Sequence, residues 1–170
     1  MFFSKIYKSW RNIQKEKYEK IFDSIKFELE NKRILDIGSG SCYLEEFLSN
    51  KGIRNIIALD IDRGMIEQRD IDIPLILADG NSLPFKDYVF DLIISIDSIH
   101  LIKKNDFSGI LKKNGFVLFS IFFNKENYEE KKNLLKEKLK SFEIINEFEI
   151  KGRENEYFVL AKKITSSPKP

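Results

Sequence analysis

The feature that most constrains the fold is a short apolar run that stops at two closely spaced glycines. The run is Ile34-Leu35-Asp36-Ile37, and Gly38-Ser39-Gly40 follows it directly. A short continuous apolar run is typical of a strand that is buried on both faces of a parallel sheet. The glycines allow a tight turn and a close approach of the backbone to another group. The pattern therefore predicts a buried strand that enters a tight turn, with a helix beyond it.

Further apolar runs follow at spacings that leave room for helices or long loops between them. These runs predict strands over residues 55–60, 73–79, 90–95 and 116–122, with helices over 41–50, 64–69, 106–113 and 126–141. Two last strands, over residues 142–150 and 157–163, are separated by a short polar segment that is typical of a hairpin. The order predicts an α/β fold: a seven-stranded, mostly parallel sheet with an antiparallel last strand and helices on both faces.

Length and composition restrict the class of protein. The chain has 170 residues, 42% of them hydrophobic and 33% charged, which is typical of one soluble globular domain. We expect this domain over residues 1–164, with a helical lid over 1–30 and a disordered tail over 165–170. The net charge of +2 is too balanced to indicate a nucleic-acid binder.

The single cysteine, Cys42, and the single histidine, His100, exclude a disulfide framework, a thiolate zinc cluster and a multi-histidine site, so we expect no metal. No apolar run approaches the roughly 18 residues of a membrane span, and no long apolar segment of a secretory signal follows Met1. We therefore expect a cytoplasmic protein that does not bind a membrane.

The residues around the glycines discriminate between two classes of cofactor. A dinucleotide site is expected to have a third glycine, and this chain has Tyr43 at that position. Asp36 would also lie close to a pyrophosphate and repel it. S-adenosylmethionine instead carries a positive ammonium and a positive sulfonium, which suit a carboxylate at Asp36. Its own carboxylate suits the free N–H groups at the start of the helix. Electrostatics therefore favours S-adenosylmethionine over NAD.

Five segments in order resemble the motifs of the class I S-adenosylmethionine-dependent methyltransferases. They are residues 34–40, 58–62, 78–85, 90–95 and 111–117. The resemblance is strongest over residues 30–123, and the most similar subgroup is the small-molecule methyltransferases of the ubiquinone/menaquinone-biosynthesis type. It implies a Rossmann-like enzyme that transfers the sulfonium methyl in line to a nucleophile. One departure is Cys42, at a position where the family has glycine or another small residue.

The resemblance implies roles for individual residues on the cofactor side. Asp60 would bind the ribose hydroxyls, Ile61 would pack against the adenine, and Asp79 would accept from the adenine amino group. Gly80 or Asn81 would lend a backbone N–H. The expected cofactor-binding residues are Asp36, Gly38, Ser39, Gly40, Asp60, Ile61, Asp79, Gly80, Asn81 and Ser95.

The acceptor side is less closely specified. Asp97 and His100 follow the fourth strand in the family's substrate-facing region and are the candidate catalytic residues. Histidine suits a general base because its pKa lies near neutrality, and helix packing is the alternative for His100. The family often inserts a covering segment after strand five, and this chain has none.

The amino-terminal helix is the candidate cover for the site. We expect it to form a lid that contacts the acceptor through Tyr7 and Trp10, with its basic side towards an anionic acceptor. A small-molecule acceptor is expected. An RNA or protein substrate at an open site, or a non-catalytic cofactor-binding module, are the alternatives.

Overall fold

A computed structural model describes residues 2–25, 28–103 and 107–164, and for residues 2–9 only the backbone. Its helices are α1 (Phe2–Ile25), α2 (Tyr43–Asn50), α3 (Arg63–Ile66) and α4 (Tyr128–Lys138), with a 3-10 helix at Ile99–Leu101. Its strands are β1 (Ile34–Ile37), β2 (Ile56–Asp60), β3 (Leu75–Leu77), β4 (Phe90–Ser95), β5 (Leu111–Phe123), β6 (Phe142–Ile150) and β7 (Asn155–Lys163). The expected tail at 165–170 lies outside the described residues.

The strands form one sheet in the order β3-β2-β1-β4-β5-β7-β6. The pairs from β3 to β5 are parallel, and β7 runs antiparallel to both of its neighbours. The predicted seven-stranded sheet with an antiparallel last strand is therefore confirmed. The strand order reverses at β1, between β2 and β4. In open α/β sheets, ligands bind outside the carboxyl ends of the strands at such a point.

Both faces of the sheet are covered, which explains why the inner strands are continuous apolar runs. On one face, Ile34 and Ile94 pack with Ile21 of α1 and Leu48 of α2. The other face includes Leu135 of α4. Burial of Ile21, Ile25 and Tyr18 makes the second half of α1 part of the core. Among the described residues, no helix is both long enough and apolar enough to cross a membrane.

The predicted helix over residues 106–113 is wrong where the structure describes it. Residues 107–110 form a turn and β5 already begins at Leu111; residue 106 lies outside the described residues. The backbone N–H groups of Val89 and Phe90 donate to the carbonyl of Ile110, and that of Tyr88 donates to Gly109. The segment thus hydrogen-bonds to the start of β4 instead of to itself.

Candidate functional site

The glycine turn after β1 has a backbone that only glycine fits well. Gly38 and Gly40 have positive φ angles of 83° and 54°, and a Cβ on Gly38 would overlap the hydroxyl of Ser98. The N–H groups of Gly38 and Ser39 donate to the carbonyl of Leu59 at 2.8 and 3.2 Å. The turn is therefore held between the end of β2 and the segment that follows β4.

Asp60 shapes this turn from the end of β2. Its Oδ2 accepts from the N–H of Gly40 at 2.7 Å, and its Oδ1 accepts from the N–H of Asp62 at 2.8 Å. A carboxylate offers about four acceptor positions, so two remain for a ligand such as the predicted ribose. Asp60 thus has a structural role that its motif did not indicate.

Two apolar side chains are exposed beside Asp60. Ile61 is 66% exposed and Leu77 is 52% exposed, and the register of β2 and β3 places Leu77 beside Asp60. Exposed apolar side chains at the carboxyl end of a sheet offer a surface for a flat ring. Ile61 was predicted for this purpose, whereas Leu77 was not.

The other residues predicted for adenine follow β3. The Asp79 carboxylate is exposed, and its Oδ1 accepts from the backbone and side-chain amides of Asn81, both at 2.8 Å. These hydrogen bonds lower the pKa of Asp79. The Asn81 Oδ1 accepts from the N–H of Lys103 at 2.7 Å. Gly80 is buried, and a Cβ there would press on Ile102.

A cavity of about 550 Å³ lies between the glycine turn and α1. Six residues that were predicted from the sequence line it: Trp10, Asp36, Gly38, Ser39, Gly40 and Asp97. Asp60, Ile61 and Asp79 lie outside its lining. The candidate site thus has two parts, an exposed surface at the ends of β2 and β3 and a cavity under α1.

At the glycine-turn end of the cavity, Asp36 faces a second carboxyl group. Asp36 is almost fully buried in β1, and Glu45 of α2 is fully buried. Burial raises the pKa of Asp36 to about 7, and the nearby charge of Asp60 adds to this shift. Burial and the charge of Asp36 raise the pKa of Glu45 well above its ordinary value. The pair therefore retains a proton near neutral pH.

At the other end, one lysine of α1 lies between two acidic side chains. Lys17 Nζ lies 2.9 Å from Oδ2 of Asp97 and 3.0 Å from Oε2 of Glu156. Ser120 donates to Oε1 of Glu156 at 2.5 Å and accepts from the N–H of Asp97 at 3.1 Å. Burial opposes the charge on Lys17, but the two carboxylates more than offset it and raise its pKa. We call these four residues the Lys17 cluster.

Two of the basic side chains of α1 are paired within the protein. Arg11 forms an ion pair with Glu46 of α2, and Lys17 belongs to the cluster above. Neither residue presents an unpaired charge to an anionic acceptor. Trp10 lines the cavity as expected, whereas the side chain of Tyr7 lies outside the described part of the chain.

Two predicted site residues lie elsewhere. Ser95 is fully buried, and its hydroxyl donates to the carbonyl of Ile37 at 3.0 Å, so it ties β4 to β1. His100 is exposed in the 3-10 helix and is absent from the cavity lining. Partial burial, followed by the charges of Lys131 and Lys138, lowers the pKa of His100. The geometry gives no support to a catalytic role of His100.

Sequence reasoning missed Glu45 and Glu156, although each left a signal. Glu45 precedes the buried Leu48 by three positions, so helical spacing puts both on one face of α2. Glu156 begins an unbroken buried run in β7. An acidic side chain on such a buried face requires a hydrogen-bond or ion-pair partner, because an isolated buried charge is costly.

Comparisons with known proteins match this architecture. A family model described as "Methyltransferase domain" matches residues 35–119. The zebrafish (Danio rerio) protein named "Arginine-hydroxylase NDUFAF5, mitochondrial" is 35% identical over 82 residues, which are 46% of this chain and 25% of the relative. The Mus musculus protein of the same name is 36% identical over 87 residues, 49% of this chain and 25% of the relative. The match thus spans a quarter of the length of these relatives.

Solved structures share the fold at low sequence identity. A SAM dependent methyltransferase from Aquifex aeolicus superimposes with a TM-score of 0.67 at 16% identity, covering 88% of this chain and 89% of the other. The [4+2]-cyclase SpnF gives a TM-score of 0.73 at 12% identity, covering 89% and 82%. Because one of these proteins is named as a cyclase, the fold alone does not determine the reaction.

The family model covers the glycine turn, Asp60, Asp79 and the segment that contains Asp97. It does not distinguish the ubiquinone/menaquinone subgroup, which stays a prediction. The chain belongs to the methyltransferase-domain family, with the fold and glycine turn of the class I S-adenosylmethionine-dependent methyltransferases.

Proposed function

We propose that the protein transfers the methyl group of S-adenosylmethionine to a small molecule held in the cavity under α1. The observation that carries this proposal is the extent of the cavity. It runs from Asp36 and the glycine turn to Trp10, Asp97 and Phe122. The residues expected to hold the adenosine lie outside the lining, so the cavity has room for the methionine end and for an acceptor beside it.

The residues present fit the methyl donor. Asp36 would hold the ammonium. The Ser41 hydroxyl is buried beside the cavity without a hydrogen-bond partner among the described residues, and it can donate to the donor's carboxylate. Asp60 would bind the ribose, and Ile61 with Leu77 would pack against the adenine. When bound, the donor supplies a methyl group that is already activated, because a neutral thioether leaves.

The protein's own task is to position the acceptor and exclude water. Holding two reactants at near-attack distance in line contributes much of the rate of such a transfer. The cavity volume lies within the range of about 300–1,000 Å³ that is typical of small-molecule sites. Trp10 and Lys17 of α1 form part of its wall. A concave cavity of this size favours a small molecule over RNA or a protein segment.

A labelling experiment tests the proposal. The protein is incubated with methyl-labelled S-adenosylmethionine and a cell extract separated into small-molecule, RNA and protein fractions. We expect label in the small-molecule fraction, and none when Asp36→Ala replaces the wild-type protein. Label confined to RNA or protein would contradict the acceptor class. Binding of S-adenosylhomocysteine without label in any fraction would indicate a non-catalytic module.

The expected cellular location stays with this proposal. The cytoplasmic location rests on the sequence alone, and the curated relatives are named as mitochondrial. Their name also describes a hydroxylase. We do not propose hydroxylation for this chain, because the match covers only a quarter of each relative.

A further inference from the structure

The Lys17 cluster contains more acidic than basic groups. Asp97 and Glu156 both contact the single ammonium of Lys17. Side-chain exposure is 12% for Lys17, 17% for Asp97 and 1% for Glu156, so water compensates these charges poorly. With both carboxyl groups ionised, the cluster carries one uncompensated negative charge.

One oxygen atom of Asp97 has no partner within the cluster. Oδ2 of Asp97 contacts Lys17, whereas Oδ1 is buried and has no hydrogen-bond partner among the described residues. Asp97 lines the cavity and has a positive φ of 60°, a conformation that is costly for a residue with a side chain. A buried acceptor without a donor also costs free energy. A ligand that donates to Oδ1 would remove the second of these costs.

The rest of the wall suits a cation. The rings of Trp10, Tyr43 and Phe122 line the cavity, and aromatic faces attract cations. Two cations of the protein already use this attraction: the Arg153 guanidinium lies 5.5 Å from the centre of the Trp10 ring, and Lys17 Nζ lies 5.5 Å from the centre of the Phe122 ring. The described lining includes three carboxyl groups, those of Asp36, Asp97 and Glu154, against one ammonium. Even with Asp36 assigned to the methyl donor, the acceptor side is acidic and aromatic.

We propose that the methyl acceptor is an amine and that Asp97 is the catalytic residue that binds its N–H and removes its proton. This inference rests on the proposed function. The bound ammonium gives one proton to the Asp97 carboxylate, and the freed nitrogen lone pair attacks the methyl carbon. The N–C bond forms as the C–S bond breaks, and the bonding pair stays on sulfur as a neutral thioether. The product leaves as a methylammonium, and Asp97 returns the proton to water.

Asp97 acts as the base in its ionised form, and a bound ammonium favours that form in the same way as Lys17 does. Burial, followed by the charge of Glu156, raises the pKa of Asp97 to about 8, while Lys17 acts in the opposite direction. Tyr18 of α1 is the other titratable group that interacts with it. A carboxylate with a raised pKa accepts a proton from an ammonium more readily than an exposed aspartate does.

Three probes of one shape and different charge test the inference. Protein saturated with S-adenosylhomocysteine is titrated with benzylamine, benzyl alcohol and benzoate. Fluorescence reports binding, because Trp10 is the only tryptophan of the chain and lines the cavity. We expect benzylamine to bind at least about tenfold more tightly than benzyl alcohol, the scale of a charged hydrogen bond. We expect benzoate to bind least.

A variant and a matched control assign the preference to Asp97. Asp97→Asn should abolish the preference for the amine while the affinity for benzyl alcohol stays within about twofold. Glu143→Gln, at an exposed position of β6, should keep the preference. Both variants should bind S-adenosylhomocysteine like the wild type, which a general loss of structure would not allow.

The outcomes separate this inference from the proposed function. Failure of S-adenosylhomocysteine to bind overturns both. Normal binding of S-adenosylhomocysteine, with benzylamine no better than the alcohol or the acid, overturns the amine alone. An amine preference that survives in Asp97→Asn overturns the role of Asp97. If that variant does not fold, the wild-type ranking of the three probes still decides the acceptor class.

Discussion

The two ends of the cavity are built in different ways. At the glycine turn, consecutive residues after β1 take their shape from backbone hydrogen bonds to Leu59 and from one carboxylate, Asp60. At the α1 end, the Lys17 cluster joins side chains from four distant segments of the chain. The turn end should therefore respond most to changes of backbone conformation, and the α1 end to loss of a single charge.

The largest expected effect comes from removing the cation of the Lys17 cluster. Lys17→Met leaves two buried carboxyl groups without their cation, which should lower the free energy of unfolding by about 3–5 kcal/mol. The loss should be larger at about pH 8 than at about pH 5, because the pKa of Asp97 is raised to about 8 and its carboxyl group holds a proton at the lower pH. Urea denaturation at both pH values measures it.

Lys20→Met is the matched control for this variant. Lys20 is exposed on the same helix, so its replacement should change stability by less than about 0.5 kcal/mol. Equal effects of the two variants would show that the cluster does not stabilise the α1 end.

The next effect concerns the turn end. Asp60→Ala removes the acceptor of the Gly40 and Asp62 N–H groups and the predicted ribose ligand. Affinity for S-adenosylhomocysteine should fall by about 1.5–3 kcal/mol, and stability should fall by less. Calorimetric titration and urea denaturation measure the two quantities. Unchanged affinity in a folded variant would contradict the ribose assignment.

Asp62→Ala separates loss of structure from loss of binding. Asp62 caps α3 by accepting from the N–H groups of Gly64 and Met65. Its replacement should lower stability by about 1 kcal/mol with affinity within about twofold of wild type. A large loss of affinity in this control would mean that any loss of stability at the turn end weakens cofactor binding, whichever residue is replaced.

A smaller effect concerns how stability and cofactor affinity depend on pH. The pKa of Asp36 is raised to about 7, so the unliganded protein holds a proton that the unfolded chain releases at lower pH. The stability that the folded protein gains by holding this proton on Asp36 is fully present below about pH 4. It is lost as the pH rises through about 7. Binding of an ammonium requires the ionised form, so affinity for S-adenosylhomocysteine should rise about tenfold between about pH 6 and pH 8.

The titratable groups that interact with Asp36 are Glu45, Asp60, Tyr18 and Cys42. Calorimetric titration across the pH range measures the trend, and Asp36→Asn should flatten it. An affinity that falls with rising pH would contradict this assignment of the ammonium site.

The smallest expected effect is the stability cost of backbone strain at Cys42. This buried residue precedes α2 with a positive φ of 60°, a region that favours glycine. Cys42→Gly should be more stable than Cys42→Ala by about 1 kcal/mol, because both remove the thiol and only glycine relieves the strain. Thermal unfolding of the two variants measures the difference. Alanine proving the more stable would contradict a strained turn.

The same contrast explains how much the sequence predicted. The strands and the glycine turn were predictable because each is a contiguous pattern, such as the apolar run before Gly38. The helix predicted over 106–113 failed because the hydrogen-bond partners of that segment lie near Phe90. The Lys17 cluster was not predicted because Lys17 and Asp97 are 80 positions apart, and no local pattern relates them.

Calorimetric titration of the wild-type protein with S-adenosylhomocysteine, alongside NAD, tests the central claim most directly. The charge of Asp36 beside the glycine turn, together with Tyr43 in place of a third glycine, predicts one S-adenosylhomocysteine site per chain and no heat of binding with NAD. Binding of NAD without binding of S-adenosylhomocysteine would contradict the account of the cavity as a methyl-transfer site.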